Sequence, residues 1–243
     1  MYIRVFKNKE ELYKEAANFF IDAVKENPSI VLGLATGSTP IGLYENLVSD
    51  YKENKTNYSK VVTFNLDEYI DLPKSHYESY YSFMHRNLFD FINIKPENIH
   101  LPNGVGSNHL GSCDEYNKLL SKTKVDIQLL GIGANGHIGF NEPGTLFDSL
   151  THIVELTNKT REDNARFFDS IDEVPKEAIT MGIKTILEAK KVFLIATGAN
   201  KADAVYQMAK CDMSINCPAS ALQQHNDCYI FVDEAAAAKL NLK

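Results

Sequence analysis

The chain has 243 residues, 44% hydrophobic and 23% charged, an ordinary globular composition long enough to bury a substantial core without disulfides or metals. Its net charge of −7 excludes a nucleic-acid surface built on bulk basic charge, so an anionic ligand would need a local positive site. No apolar run approaches the roughly 20 residues that span a bilayer, and the opening MYIRVFKNKEELYKEA lacks the apolar core of a signal peptide, so a cytoplasmic protein is expected.

Strand-like and helix-like stretches alternate from one end to the other. After Asn8, a candidate N-cap with Glu11 three residues on, the residues Leu12, Ala16, Phe19, Phe20, Ala23 and Val24 recur at helical spacing. A continuous apolar run from Ile30 to Ala35 reads as a buried strand, and Pro40 to Tyr51 as the helix that follows it. Val61 to Leu66 is a second strand, with helices expected at Ser75 to Phe91 and Cys113 to Ser121. Val125 to Ile132 is the most apolar strand. The stretch from about Gly144 to Met181 is the least regular, with one helix at Thr160 to Phe168, and is expected to be a mobile excursion from the sheet. Val192 to Ala196, a helix at Asn200 to Lys210, and Cys228 to Val232 complete the series. Continuous Val/Ile/Leu/Phe strands joined by helices predict an α/β fold: a mostly parallel central sheet with helices on both faces. No Pro/Gly/Ser linker or charge run divides residues 1–243, so a single domain is expected.

Cys113, Cys211, Cys217 and Cys228 form no C-x-x-C pair and are expected to be reduced, and the seven histidines show no metal-ligand spacing. In an open α/β sheet ligands bind beyond the carboxyl ends of the strands, which here are the loops Ala35 to Pro40, Asn65 to Asp71, Gly131 to Glu142 and Thr197 to Lys201. The first and last share the sequence Ala-Thr-Gly at a strand-to-helix turn, which points to one shared crevice. Gly37, Ser38 and Thr39 offer backbone N–H groups and hydroxyls suited to a phosphate, yet form neither a G-x-x-x-x-G-K-[ST] nor a G-x-G-x-x-G loop. A single phosphate on a small metabolite fits better than a nucleotide, and Lys201 and Arg166 are candidate cations for it. Asp67, first past an apolar run, suits proton abstraction beside a carbonyl or imine carbon, although Asp also commonly caps a loop. His137 and Glu142 lie in the Gly-rich loop Gly131-Ile-Gly-Ala-Asn-Gly-His-Ile-Gly-Phe-Asn-Glu-Pro. A histidine near a carboxylate there can exchange protons around neutral pH, as opening a sugar ring requires.

The runs Leu34-Ala-Thr-Gly-Ser-Thr-Pro, Val62-Thr-Phe-Asn-Leu-Asp-Glu-Tyr, Glu78-Ser-Tyr-Tyr-Ser-Phe-Met, Gly133-Ala-Asn-Gly-His-Ile-Gly-Phe-Asn-Glu-Pro and Arg166-Phe-Phe closely resemble the glucosamine-6-phosphate deaminase family. The similarity extends through nearly the whole chain. It implies a modified Rossmann-like sheet and conversion of glucosamine 6-phosphate and water to fructose 6-phosphate and ammonia, with no redox cofactor or metal. By the same resemblance Asp67 is the base that moves a proton between C2 and C1, His137 opens the pyranose ring, and Glu142 supports it. Asn135 falls where members carry Asp or Asn, and Ser38, Thr39, Arg166 and Lys201 would hold the phosphate.

Allosteric hexameric members carry a basic pair after the Asn-Glu-Pro loop, where this chain has His152 and Val154, and continue with a tail where this chain stops soon after Leu240. A monomer without an allosteric effector is therefore expected, with Thr151 to Met181 as an active-site lid. Two other readings compete. A 6-phosphogluconolactonase would share the fold and phosphate turns but needs no carboxylate at position 67. A non-catalytic sugar-phosphate sensor would be fused to a helix-turn-helix domain, for which Met1 to Glu26 supplies only one helix.

Overall fold

The computed structural model describes residues 1–165 and 168–240. Its strands are β1 (Tyr2–Phe6), β2 (Val31–Leu34), β3 (Val62–Asn65), β4 (Asp67–Tyr69), β5 (Ile99–His100), β6 (Ile127–Leu130), β7 (His152–Glu155), β8 (Glu177–Thr180), β9 (Lys191–Ala196) and β10 (Cys228–Asp233). Its helices are α1 (Lys9–Glu26), α2 (Ile41–Asn54), α3 (Tyr80–Asn87), α4 (His109–Lys122), α5 (Asn158–Ala165), α6 (Ile183–Leu187) and α7 (Ala202–Lys210).

Seven strands form a central sheet in the order β1-β10-β9-β6-β2-β3-β5, and every pair is parallel. The five apolar runs expected as strands are its inner members β2, β3, β6, β9 and β10. Register shows that helices cover both faces. Gly33 pairs with Phe64 and Gln128, and Gln128 with Val192, so these four share one face, while Leu129 and Phe193 point to the other. The ring of Tyr116 from α4 lies 5.9 Å from Phe64, and that of Phe20 from α1 lies 5.3 Å from Phe193. Phe193 is fully buried. Asn8 caps α1 as expected, its side chain accepting the Glu11 N–H at 2.9 Å, and Leu12, Ala16, Phe20 and Val24 are buried.

Four differences from the sequence expectations have local causes. The helix expected from Ser75 begins only at Tyr80, because Ser79 caps it by accepting the Ser82 N–H, and it gives way to a single 3₁₀ turn at Phe89–Phe91. The helix expected at Cys113 starts four residues earlier, capped by Asn108. The helix expected from Thr160 to Phe168 runs from Asn158, and residues 166 and 167 lie outside those described. Finally, the stretch expected to be least regular supplies β7 and β8, which pair antiparallel with β4 in a second sheet of order β4-β8-β7.

The two sheets meet at Leu66. Its N–H donates to Leu34 of the central sheet at 3.0 Å and its carbonyl accepts from Met181, next to β8, at 2.7 Å. Strand order reverses between β2, which leads outward to β3 and β5, and β6, which leads back to β9, β10 and β1. That reversal opens a crevice at the carboxyl ends of β2 and β6.

Candidate active site

A cavity of about 1060 Å³ fills this crevice. Its walls include Thr36 to Thr39 after β2, Asp67 after β3, Gly131 to Ala134 and His137 after β6, and Thr197, Asn200 and Lys201 after β9. The two Ala-Thr-Gly turns therefore do open on one space. Gly37 (φ 87°) and Gly198 (φ 91°) both occupy the left-handed region that a side chain would disfavour. Neither turn is followed by a side-chain cap: the second enters α7 through a 3₁₀ turn at Ala199–Lys201 whose carbonyls already take the Ala202 N–H, whereas the first-turn N–H groups of α2 remain for a ligand. Two side chains hold the second turn. Both carboxylate oxygens of Asp233 accept the Gly198 N–H at 3.0 Å, and the Tyr13 hydroxyl is hydrogen-bonded to the Thr197 side chain.

Asp67 begins β4 and is buried at 5% exposure. Burial and the adjacent Glu68 carboxylate push its carboxyl up to about 8. Glu68, equally buried, serves the scaffold instead. Its oxygens accept the backbone N–H groups of Tyr69, Tyr80 and Tyr81 at 3.0, 2.9 and 2.9 Å, which secures the start of α3. The third carboxylate of this run, Asp71, lies in a left-handed turn and faces His109 at 3.5 Å.

His137 and Glu142 come together. The imidazole lies flat against Gly133, where an added methyl would sit 2.3 Å from the ring, and its Nδ1 is 3.5 Å from Glu142 Oε1. Nδ1 is buried without a nearer partner. Asn135 Nδ2 donates to Glu142 Oε2 at 2.7 Å, and Thr160 Oγ1 donates to Oε1 at 2.5 Å. Burial alone would raise the Glu142 carboxyl, but the facing imidazole, the Thr160 hydroxyl and the Asn135 amide outweigh it and hold the group down at about 2. Asn135 also accepts the His137 N–H at 3.2 Å through Oδ1, so it binds both members of the pair.

Over residues 7–231 the sequence matches the family described as glucosamine-6-phosphate isomerases/6-phosphogluconolactonase. The chain belongs to this glucosamine-6-phosphate isomerase/6-phosphogluconolactonase family. Within it, a protein of Clostridium novyi (strain NT) named glucosamine-6-phosphate deaminase is 51% identical over 241 residues, covering 99% of this chain and all of that one. A solved structure of a monomeric glucosamine-6-phosphate deaminase is 44% identical, with a TM-score of 0.96 over 98% of this chain and 99% of that one. A 6-phosphogluconolactonase from Trypanosoma brucei has a TM-score of 0.79 at 19% identity over 98% of each chain, a likeness of fold alone.

The family description joins two activities and its distant members share the fold, so the residues in the crevice matter more than the architecture. Of the residues singled out from sequence, Gly37, Ser38, Thr39, Asp67, His137 and Lys201 line one cavity, and Asn135 and Glu142 stand directly behind His137. Arg166 lies outside the described residues. Sequence reading missed Tyr13, which belongs to an amphipathic helix, and Thr160, which sits in a hydrophilic segment. It also missed Tyr69, Tyr80 and Asn164, where the Tyr69 hydroxyl accepts from Asn164 at 3.0 Å and meets the Tyr80 hydroxyl at 3.4 Å. The pairing of Tyr13 with Thr197 spans 184 positions, and no local pattern could have announced it.

Among the described residues, no helix is long and apolar enough to cross a membrane.

Proposed function

We propose that this chain is a glucosamine-6-phosphate deaminase, converting glucosamine 6-phosphate and water to fructose 6-phosphate and ammonia. The observation that carries the reading is Asp67: a buried carboxyl on the wall of the same cavity that His137 lines, with Glu142 3.5 Å from the imidazole Nδ1. Near-identity of length and 51% identity with a named deaminase support the same conclusion.

The substrate phosphate is bound by the first turn of α2 with Gly37, Ser38 and Thr39, in the positive field of that helix N-terminus, and by Lys201. Arg166 joins this set on sequence resemblance. His137, with its Nδ1 side toward Glu142, takes the proton from O1 and returns one to the ring oxygen, so that the C1–O5 bond opens to the aldehyde. Asn135 and ionised Glu142 keep the imidazole in position and favour its charged intermediate.

Asp67 then removes the C2 proton, giving an enolamine, and delivers it to C1. The product is a 2-imino ketose; water adds at C2 and ammonia leaves. A carboxylate with a raised pKa is a stronger base than an exposed one, and the substrate's own C2 ammonium favours its ionised form. The segment Thr151 to Met181 acts as the lid that closes this chemistry from water.

We take the enzyme to be a cytoplasmic monomer without an allosteric effector. His152 and Val154 cannot supply two fixed cations, and the His152 Nδ1 is already directed at the Leu150 carbonyl at 2.8 Å.

The deciding measurement is release of ammonia and fructose 6-phosphate from glucosamine 6-phosphate, with and without N-acetylglucosamine 6-phosphate. Turnover indifferent to the acetylated sugar is expected. No turnover, together with hydrolysis of 6-phosphogluconolactone, would replace the reading by the lactonase.

A further inference from the structure

Among the described residues of α5, Asn158–Ala165, the segment NKTREDNA offers only Ala165 as an apolar side chain, yet the helix rests against the candidate site. Its attachments are polar. Asn164 donates to the Tyr69 hydroxyl, Arg161 donates to the carbonyls of Ile171 and Val174 at 2.8 and 3.2 Å, and Thr160, 7% exposed, donates to Glu142. A helix docked this way gains little from apolar burial, so each hydrogen bond weighs heavily in its position.

The Thr160 hydroxyl is itself aimed. Thr157, just before the helix, accepts the Thr160 N–H through Oγ1 at 3.1 Å, as an N-cap does, and donates its own hydroxyl to Thr160 Oγ1 at 3.0 Å. With a lone pair of Thr160 thus occupied, its proton goes to Glu142 Oε1 at 2.5 Å. Asn135 holds the other oxygen at 2.7 Å. The two donors fix the plane of the carboxylate, and Oε1, the oxygen under Thr160, is the one 3.5 Å from His137 Nδ1.

We infer that Thr160 is a positioning residue: through it the docked α5 sets the Glu142 carboxylate against the His137 imidazole, so that lid placement and ring-opening competence are linked. The inference rests on the deaminase reading for its kinetic consequence. The linkage is reciprocal, since any change at Glu142 that weakens the bond also loosens α5.

The test has two arms. In the first, Thr160→Val and Thr160→Ser are assayed on glucosamine 6-phosphate. Val is expected to lower kcat about tenfold or more, the effect of one lost hydrogen bond to a charged group, with KM within about twofold; Ser is expected to stay within about threefold of the parent. Inhibition by an open-chain 2-amino hexitol 6-phosphate, which needs no ring opening, should be the same in all three. A kcat for Val within twofold of the parent, an equally low kcat for Ser, or a KM effect alone would each overturn the inference. If Val does not fold, Thr160→Ala is read against Ser in its place.

In the second arm, hydrogen exchange of residues 158–165 is followed in Glu142→Gln. Faster exchange in α5, with the central sheet unchanged, is expected, and unchanged exchange in α5 would overturn the linkage. This arm needs no turnover. A parent protein that releases no ammonia would therefore defeat the functional reading while leaving the linkage to be decided here.

Discussion

Asp67 and Glu68 stand back to back on β4, both buried, with opposite uses. Successive residues of a strand point to opposite faces. Glu68 commits its two oxygens to three backbone N–H groups, whereas Asp67 faces the cavity and carries the electrostatic load of its neighbour.

Replacing Asp67 with Asn should abolish nearly all turnover, since the amide keeps the shape but cannot take the C2 proton. The same change should raise the melting temperature. A carboxyl whose folded pKa is raised from 3.8 to about 8 keeps a proton that the unfolded chain gives up. Native stability is therefore lost progressively as pH climbs between those values, to the extent of a few kcal/mol above pH 8. The stabilisation by Asn should be negligible near pH 4 and widen up to pH 8. Thermal melts across that range check it, and a gap independent of pH would show that Asp67 ionises normally.

The activity profile should carry the same signature with the opposite sign. The base works only when ionised, so kcat/KM should climb as pH rises from 6, reach half its maximum near 8 and level off above that. Glu142, held down at about 2, contributes no inflection in that range. A profile flat from pH 6 to 8 would contradict the buried state of Asp67.

At the proposed phosphate end, Lys201→Ala should raise KM more than it lowers kcat, because a contact with a non-reacting group is made equally in ground and transition states. Tyr13→Phe should do the same more mildly, about fivefold in KM, by freeing the Thr197 turn while leaving the ring packed on Gly42. Initial-rate kinetics separate the two parameters, and a kcat loss at normal KM would remove either residue from the phosphate site.

Gly136→Ala tests the loop that carries His137. Gly136 sits at φ 85°, and an added methyl would lie 2.6 Å from Cys217 Sγ. The substitution should cost about 2–3 kcal/mol from backbone strain and overpacking together. It should also lower kcat more than tenfold by displacing the next residue. Adding Cys217→Ala should recover the steric part of the stability loss but not the strain, which a denaturant titration of both variants would resolve.

The central sheet was legible in the sequence because its inner strands are covered on both faces, so burial leaves a continuous apolar run at β2, β3, β6, β9 and β10. The edge strand β1 was not, since Tyr2 and Val5 remain exposed and Arg4 interrupts the pattern. The small sheet was hidden for another reason: β4 and β8 are held by pairing with each other, and the sequence Asp67-Glu-Tyr has no strand signature of its own. In the site, side chains in loops after strands could be named from position, whereas Thr160 and Tyr13 act only through partners 18 and 184 positions away.

Leu66 gives its N–H to one sheet and its carbonyl to the other, and Asp67 is the next residue. The carboxylate proposed as the base is thus mounted at the junction of the two sheets, itself paired with Thr180 of the small one. The aim of that carboxylate therefore depends on the angle between two sheets, and a substitution that loosens either pairing would be felt at position 67 without touching it.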